Sequence, residues 1–590
     1  MTTVKDSIII SGLANACVQP EAVAHDYKDE KWLAYNYATD DFEGEALFCG
    51  PYQDAPEIDI PLNHKGWCRI YLGIHYGMPA WPLESRVQLA GMPSSSLFIL
   101  RVRLSSDSWR GMIEAEYTSA KQQGYFRPAP DTPKPRPINW NAIDEVYWRT
   151  AELDGQTLRI TPHREAGHEW SSACLAYIRL EPMDENDLRE YRRTLPRPET
   201  RRMVGSYDGS HPPLCEEEAR KWLEPLRGSD FEAVFWGASL LDLCFYPTKV
   251  GSQIFDPWHY PSVANRRLPL DKNFDCLKTA AEICHEMNIE CLGSMRAAGG
   301  RFPPSHLPAQ GKLSFFHKHP EFWCRTEKGE PAGHLSLAFP EARCRQIEIM
   351  QDYLDGRSLD GVHYHFNRCC PFIAYEQPVI DDFMRHHGVD PRSLPWDDER
   401  WIRHKCGYIT TFMRELRAML DAEGNCRKKR LKLALTVMNS LENNLLNGYD
   451  LDTWIKEGLT DYLLIHPCWY PFQKGDHRVT PETVKPIQQL AHEAGKDCKV
   501  YADLFPRYQP AEYFRQQAIC FYEAGIYGVG LHDYYCRMPR MSEWDMLRLL
   551  GHREEIKEWR EKAFSFGRAR PLKSICGMSN DPRYTVLSNG

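Results

Sequence analysis

The rhythm of polar and apolar positions changes once along this chain, close to residue 198. Before it, short runs such as WCRIYLGIHYG (67–77), SSLFILRVRL (95–104), EVYWRTAEL (145–153) and ACLAYIRLEPM (173–183) are separated by turn residues. Frequent short strands of this kind predict a β-sandwich over residues 1–198. The proline-rich RPAPDTPKPRPINW (127–140) cannot lie in a central strand, and the charged, proline-bounded DENDLREYRRTLPRPETRR (184–202) marks the boundary.

From residue 199 onward, apolar runs alternate with amphipathic stretches of helical period. The runs lie at 202–207, 232–237, 289–295, 360–366, 431–438, 460–466, 498–505 and 525–532, and the helices at 215–226, 274–287, 341–354, 397–422, 451–457, 481–494, 510–524 and 542–564. Eight strands, each followed by a helix, predict a (β/α)8 TIM barrel over 199–590. The longest loops, 245–270, 296–335 and 367–397, follow strands two, three and four, which places them on the face where barrel sites form. A doubly wound open sheet is the alternative, but the first strand-to-helix turn lacks G-x-G-x-x-G.

Composition narrows the partners. The chain has 590 residues, 72 Lys and Arg against 81 Asp and Glu, and a net charge of -9, so no basic field recruits nucleic acid or an acidic membrane surface. Its 20 cysteines are scattered without a C-x-x-C pair, the pattern of reduced, buried thiols. No run reaches the roughly 18 apolar residues that span a bilayer. The N-terminal apolar stretch has no basic region ahead of it, and the expectation is a soluble, cytoplasmic protein; a homo-oligomer is left open.

The strand ends carry the chemistry. They offer Asp208 after strand one, Trp236 on strand two, Arg296 on strand three, His363, His365, Asn367 and Arg368 on strand four with Glu376 in its loop, and Asn439 with Glu442 after strand five. His466 and Trp469 follow strand six, Tyr501, Asp503 and Arg507 strand seven, and His532 and Asp533 strand eight. Glycosidic bond cleavage needs one carboxylic acid to protonate the leaving oxygen and one carboxylate as base or nucleophile, with aromatic rings and Arg, His and Asn holding the sugar. Each carboxylate also has a plainer reading as a helix cap or an arginine partner, and each Trp as core. His363 and His365 share a face, as in a metal-binding H-x-H, and with His466 and Asp533 they resemble the ligand set of amidohydrolase barrels. That family carries its H-x-H on strand one, where this chain has Ser206 and Asp208.

The motifs HPEFWCRTEKGEP (319–331), LSLAFPEAR (335–343), LDGVHYHFNR (359–368) and YEQPVIDDFMRHHGVDPRSL (375–394) resemble the glycosyl-hydrolase-like family 10 barrels of bacteria. The resemblance covers about residues 200–565 and implies a polysaccharide-cleaving barrel with an accessory β-domain. It also implies an acidic pair at the end of strand four, where this chain reads Tyr364, His365, Phe366 and Asn367.

The leading expectation is a glycoside hydrolase without a cofactor or metal, with Glu376 as general acid, Asp503 as nucleophile or base, and Asp533 and Asp208 in reserve. Trp236, Arg296, His363, His365, Asn367, Arg368, Asn439, His466, Trp469, Tyr501 and His532 are the expected carbohydrate-binding residues. The alternatives are a metal-dependent hydrolase built on the H-x-H and a barrel that binds sugar without cleaving it.

Overall fold

The computed structural model describes residues 7–50, 53–75, 97–107, 111–116, 142–162, 172–207, 213, 215–253, 273–297, 315–368, 371–467, 472–505, 511–534, 544, 546–559 and 569–580. All eight predicted strands are present: β1 (Met203–Ser206), β2 (Phe231–Leu240), β3 (Glu290–Arg296), β4 (Gly361–His365), β5 (Lys432–Val437), β6 (Tyr462–Ile465), β7 (Lys499–Asp503) and β8 (Gly528–His532). Neighbours pair in parallel, and β1 pairs with both β2 and β8, so the sheet closes into a barrel.

The strands are buried on both faces, which is why their sequences are nearly continuous apolar runs. Inward-facing Val204, Ala233, Phe235, Leu292, Ala434, Tyr462, Leu464 and Tyr501 fill the barrel. Their outward neighbours, among them Val234, Tyr364, Leu435 and Val500, join a larger core beneath the helices. At the strand starts the floor is polar: Tyr501 Oη donates to Glu232 at 2.5 Å, Tyr462 Oη donates to Glu290 at 2.7 Å, and Lys499 pairs with Glu232.

Side-chain caps fix where several helices begin. Asp275 accepts from the Lys278 N–H, Asp398 from Arg400, and Thr480 from Thr483, each satisfying a backbone donor that the first turn leaves open. The expected last helix, 542–564, is interrupted. Among the described residues, 548–551 form turns and regular helix returns only at Glu555–Glu558. Gly551 lies against the Thr200 carbonyl and leaves no room for a side chain.

The β-rich N-terminal part has three mainly antiparallel sheets, with one short parallel pairing of Val23–Ala24 on Trp32–Ala38, around one core that includes Trp32, Phe48, Ile70, Leu158 and Tyr177. The chain end belongs with it. Ala569–Pro571 pairs antiparallel with the strand Ala142–Asp154, and Ser574–Ile575 with Trp32–Ala38, so residues 569–580 depart from the expected division at 198. The cysteines among the described residues are free thiols and mostly buried, although Cys520, expected inside, is exposed on its helix.

Candidate active site

Ser206, His365, His466, Asp503 and His532 lie at or just beyond the C-terminal ends of their strands, Ser294, His363 and Thr436 one or two residues before them, and all are buried. The period of two along β4 puts His363 and His365 on one face. His363 Nδ1 lies 2.7 Å from Ser294 Oγ and its Nε2 lies 2.8 Å from Thr436 Oγ1, while the ring stacks on Phe235 at 4.5 Å between centroids. Burial, with a contribution from His365, holds the His363 pKa well below the ordinary histidine value. The ring is therefore neutral. His365 stands edge-on to it at 4.4 Å, with Nδ1 3.3 Å from Asn367 Oδ1.

The second half of the cluster is organised by Asp503. Its Oδ2 accepts from His466 Nδ1 at 2.8 Å and its Oδ1 accepts the His532 backbone N–H at 2.9 Å. A carboxylate facing Nδ1 fixes the proton there, which makes Nε2 the nitrogen through which His466 can exchange a proton. His532 is held the other way. Arg368 Nη2 lies 2.7 Å from His532 Nε2 and can only donate, so His532 carries its proton on Nδ1 and gives it to Ser206 Oγ at 2.5 Å. The rings of His466 and His532 lie 4.6 Å apart.

Asp533 follows directly. It is 3% exposed, its Oδ2 is 3.8 Å from His532 Nε2, and its backbone φ is +51°. Aspartate tolerates this left-handed conformation better than most residues, but it remains strained, and such strain gathers at functional sites. Asp503 and Asp533 are thus two buried carboxylates that meet His532, one at its backbone N–H and the other near its ring.

Among the solved structures similar to this chain are three of carbohydrate-active proteins. An α-L-fucosidase from Paenibacillus thiaminolyticus is 12% identical over 60% of this chain and 49% of its own, with a TM-score of 0.37, so this chain spans about half its length. A glycoside hydrolase domain of PgaB (BpsB) from Bordetella bronchiseptica is 14% identical over 59% of this chain and 97% of its own, TM-score 0.39. A β-amylase catalytic domain from Paenibacillus polymyxa is 10% identical over 61% of this chain and 99% of its own, TM-score 0.40. No family model and no curated protein sequence matches the chain. At such low identity and overlap, these neighbours carry no argument about activity.

Several expected site residues lie elsewhere. Trp236 points outward from β2 and packs with Tyr207 and Trp222 in the core, at centroid distances of 5.5 and 6.0 Å. Tyr501 faces inward but two residues below Asp503, so it belongs to the floor with Glu232. Asn439 holds the chain together: its Nδ2 donates to the Asp476 and Arg478 carbonyls at 2.7 and 2.9 Å, and its Oδ1 accepts from Asn443. Glu376 is 1% exposed and accepts the backbone N–H groups of Ala374 at 3.0 Å and Arg325 at 3.2 Å. It anchors a loop, and Asp503 has other partners. Burial raises its pKa above the ordinary glutamate value. Glu442 is exposed in a helix's first turn, and Arg296 ends β3 half-buried, its carbonyl accepting from the Leu241 N–H. Asp208, Trp469 and Arg507 lie outside the described residues.

Both histidines of the H-x-H are engaged within the protein. His363 engages hydroxyls with both ring nitrogens, and among the described residues no three His, Cys, Asp or Glu side chains are set to hold an ion. Two members of the cluster were not singled out from the sequence, Phe235 and Thr436. Phe235 is in register with Leu292 and Thr436 with His365, each an inward position that the uninterrupted apolar runs of their strands do not mark.

Proposed function

We propose that this barrel hydrolyses a glycosidic bond, with the His466–Asp503 pair and the Asp533 carboxylate as its acid–base groups. The observation that carries the reading is the buried dyad at the ends of β6 and β7, flanked by Arg368 and a second, strained carboxylate. In this reading Asp503 keeps His466 oriented through Nδ1, and the protonated ring delivers a proton from Nε2 to the leaving oxygen. Asp533 then serves the anomeric carbon, either by activating water or by forming the glycosyl ester that water later breaks. One water is consumed: its oxygen and one proton become the new anomeric hydroxyl, its other proton returns to His466, and Asp533 ends as the carboxylate it began as. Arg368, His365 and Asn367 are placed to bind hydroxyls. This reading replaces the expected Glu376–Asp503 pair: Glu376 is committed to backbone donors, His466 takes the acid's part with Asp503 orienting it, and Asp533 is the reacting carboxylate.

The test is release of aglycone from a panel of α- and β-linked aryl glycosides, together with release of reducing ends from mixed oligosaccharides. Wild type is expected to turn over at least one substrate, and His466→Gln, Asp503→Asn and Asp533→Asn are each expected to lower kcat by roughly a hundredfold or more. The reading fails if wild type cleaves nothing in the panel, or if all three variants match its turnover.

A further inference from the structure

A second concavity, about 410 Å³ in volume, lies apart from the histidine cluster and shares no lining residue with it. It is bounded by the antiparallel hairpin formed by Trp323–Arg325 and Pro331–Leu335, the loop that follows β4, the start of the helix Glu399–Arg427, and Phe472. Its walls are aromatic. Tyr375 stacks on Trp401 at 5.2 Å and 26°, and Trp396 lies 5.6 Å from Phe472 across the opening.

Five charged residues line the cavity: Glu327, Lys328 and Glu330 are exposed and Arg325 is half-buried, while Lys405 alone faces it from a buried position. Lys405 is 8% exposed and lines the cavity one helical turn after Trp401, its Nζ 5.7 Å from the Trp401 ring centroid. Among the described residues, no hydrogen bond or ion pair reaches that Nζ. Glu376 acts on it only through space, its oxygens being held by the Ala374 and Arg325 N–H groups. The wall histidine, His334, is neutral: burial lowers its pKa, and its Nε2 is bonded to the Pro371 carbonyl. A buried ammonium is normally paired, because leaving water without a counter-charge is unfavourable. Here the missing partner is on the cavity side.

We propose that the cavity is a second binding site, for a small carboxylate carrying a flat ring, with the ring among Tyr375, Trp401, Trp396 and Phe472 and the carboxylate on Lys405. Aromatic walls suit either an aromatic acid or the apolar face of a sugar acid, and the ammonium supplies the charge-assisted bond both require. The site does not depend on the reaction assigned to the barrel mouth.

Calorimetric titration of the full chain with 2-naphthoate and with glucuronate tests it and separates the two sources. At least one of them is expected to bind. Lys405→Met is expected to weaken that binding roughly tenfold or more, and the corresponding uncharged amide to bind wild type as poorly. Asp503→Asn is expected to leave the affinity unchanged, which separates this site from the catalytic proposal. Binding is also expected to weaken above about pH 8, where Lys405 gives up its proton. Methionine is unbranched like lysine, only one atom shorter, and removes a buried charge, so loss of fold does not confound the variant. Equal binding by wild type and Lys405→Met overturns the proposal, as does failure of both carboxylates to bind at about 10 mM.

Discussion

Lys405 is held in a state that water would reverse. Burial pulls its pKa from 10.5 down to about 8. The unfolded chain keeps that proton up to 10.5, so between about 8 and 10.5 the unfolded state binds more protons and stability rises with pH. Lys405→Met is expected to raise stability at neutral pH by on the order of 1–3 kcal/mol and to abolish that rise, both read from urea midpoints measured across the window. His363 works in the acid direction. Its folded pKa lies well below 6.5, so the unfolded chain takes up a proton first and stability falls as pH drops below 6.5. In His363→Gln that part of the acid dependence is expected to vanish, and an unchanged acid limb would assign it to other groups. Glu376 separates structural from catalytic acids. Glu376→Gln sets an amide against backbone donors and is expected to lower stability by about 1–3 kcal/mol while leaving kcat within roughly tenfold. A drop of a hundredfold would return Glu376 to the reaction.

At the level of elements, the strands were legible and their inner faces were not. All eight barrel runs stand out because parallel strands are covered on both faces and read as apolar throughout. For the same reason nothing in FEAVFWGASL marks Phe235 as inward and Trp236 as outward, and an aromatic at a strand end was misplaced by one residue. Depth is hidden in the same way: Tyr501 has the parity of Asp503 but sits at the floor. His363, His365, His466, Asp503 and His532 were recoverable because polar side chains in apolar runs are conspicuous. Lys405 left a fainter trace, a charged residue in the stripe formed by Trp401, Ile402, Ile409 and Met413 of its helix. Asn439 shows a further confusion, since a residue just past a strand can serve the next helix and loop. Asn439, Asn443 and Asn447 tie the helix Leu441–Leu446 to the carbonyls of 472, 474, 476 and 478. Asn443→Ala is expected to lower stability by roughly 1–3 kcal/mol and to increase proteolysis within 472–480, since its bonds to the Lys474 carbonyl and N–H are both lost. An unaltered cleavage pattern would show that the ladder does not hold that segment.

For the whole molecule, the return of residues 569–580 makes the N-terminal sheets depend on the chain's far end. Arg570 is 8% exposed and its Nε donates to Tyr177 Oη at 2.9 Å; Nη1 pairs with Asp41 and Nη2 lies 3.4 Å from Glu145. Glu145 also binds Arg179 at 2.8 Å, which holds its pKa below the ordinary value against the opposing effect of burial. Removing the tail would uncover an edge of the strand Ala142–Asp154 and take one of two cations from a buried carboxylate. Edges left open in this way invite pairing with other chains, and an uncompensated buried charge weakens the fold. A chain ending at residue 568 is therefore expected to show a lower melting temperature and a greater tendency to self-associate, measured by calorimetry and light scattering. Arg570→Met, which keeps the strand and removes only the charge, is expected to reproduce the lower melting temperature but not the self-association. If neither variant melts earlier than wild type, the terminal strands are passengers and the N-terminal sheets stand without them.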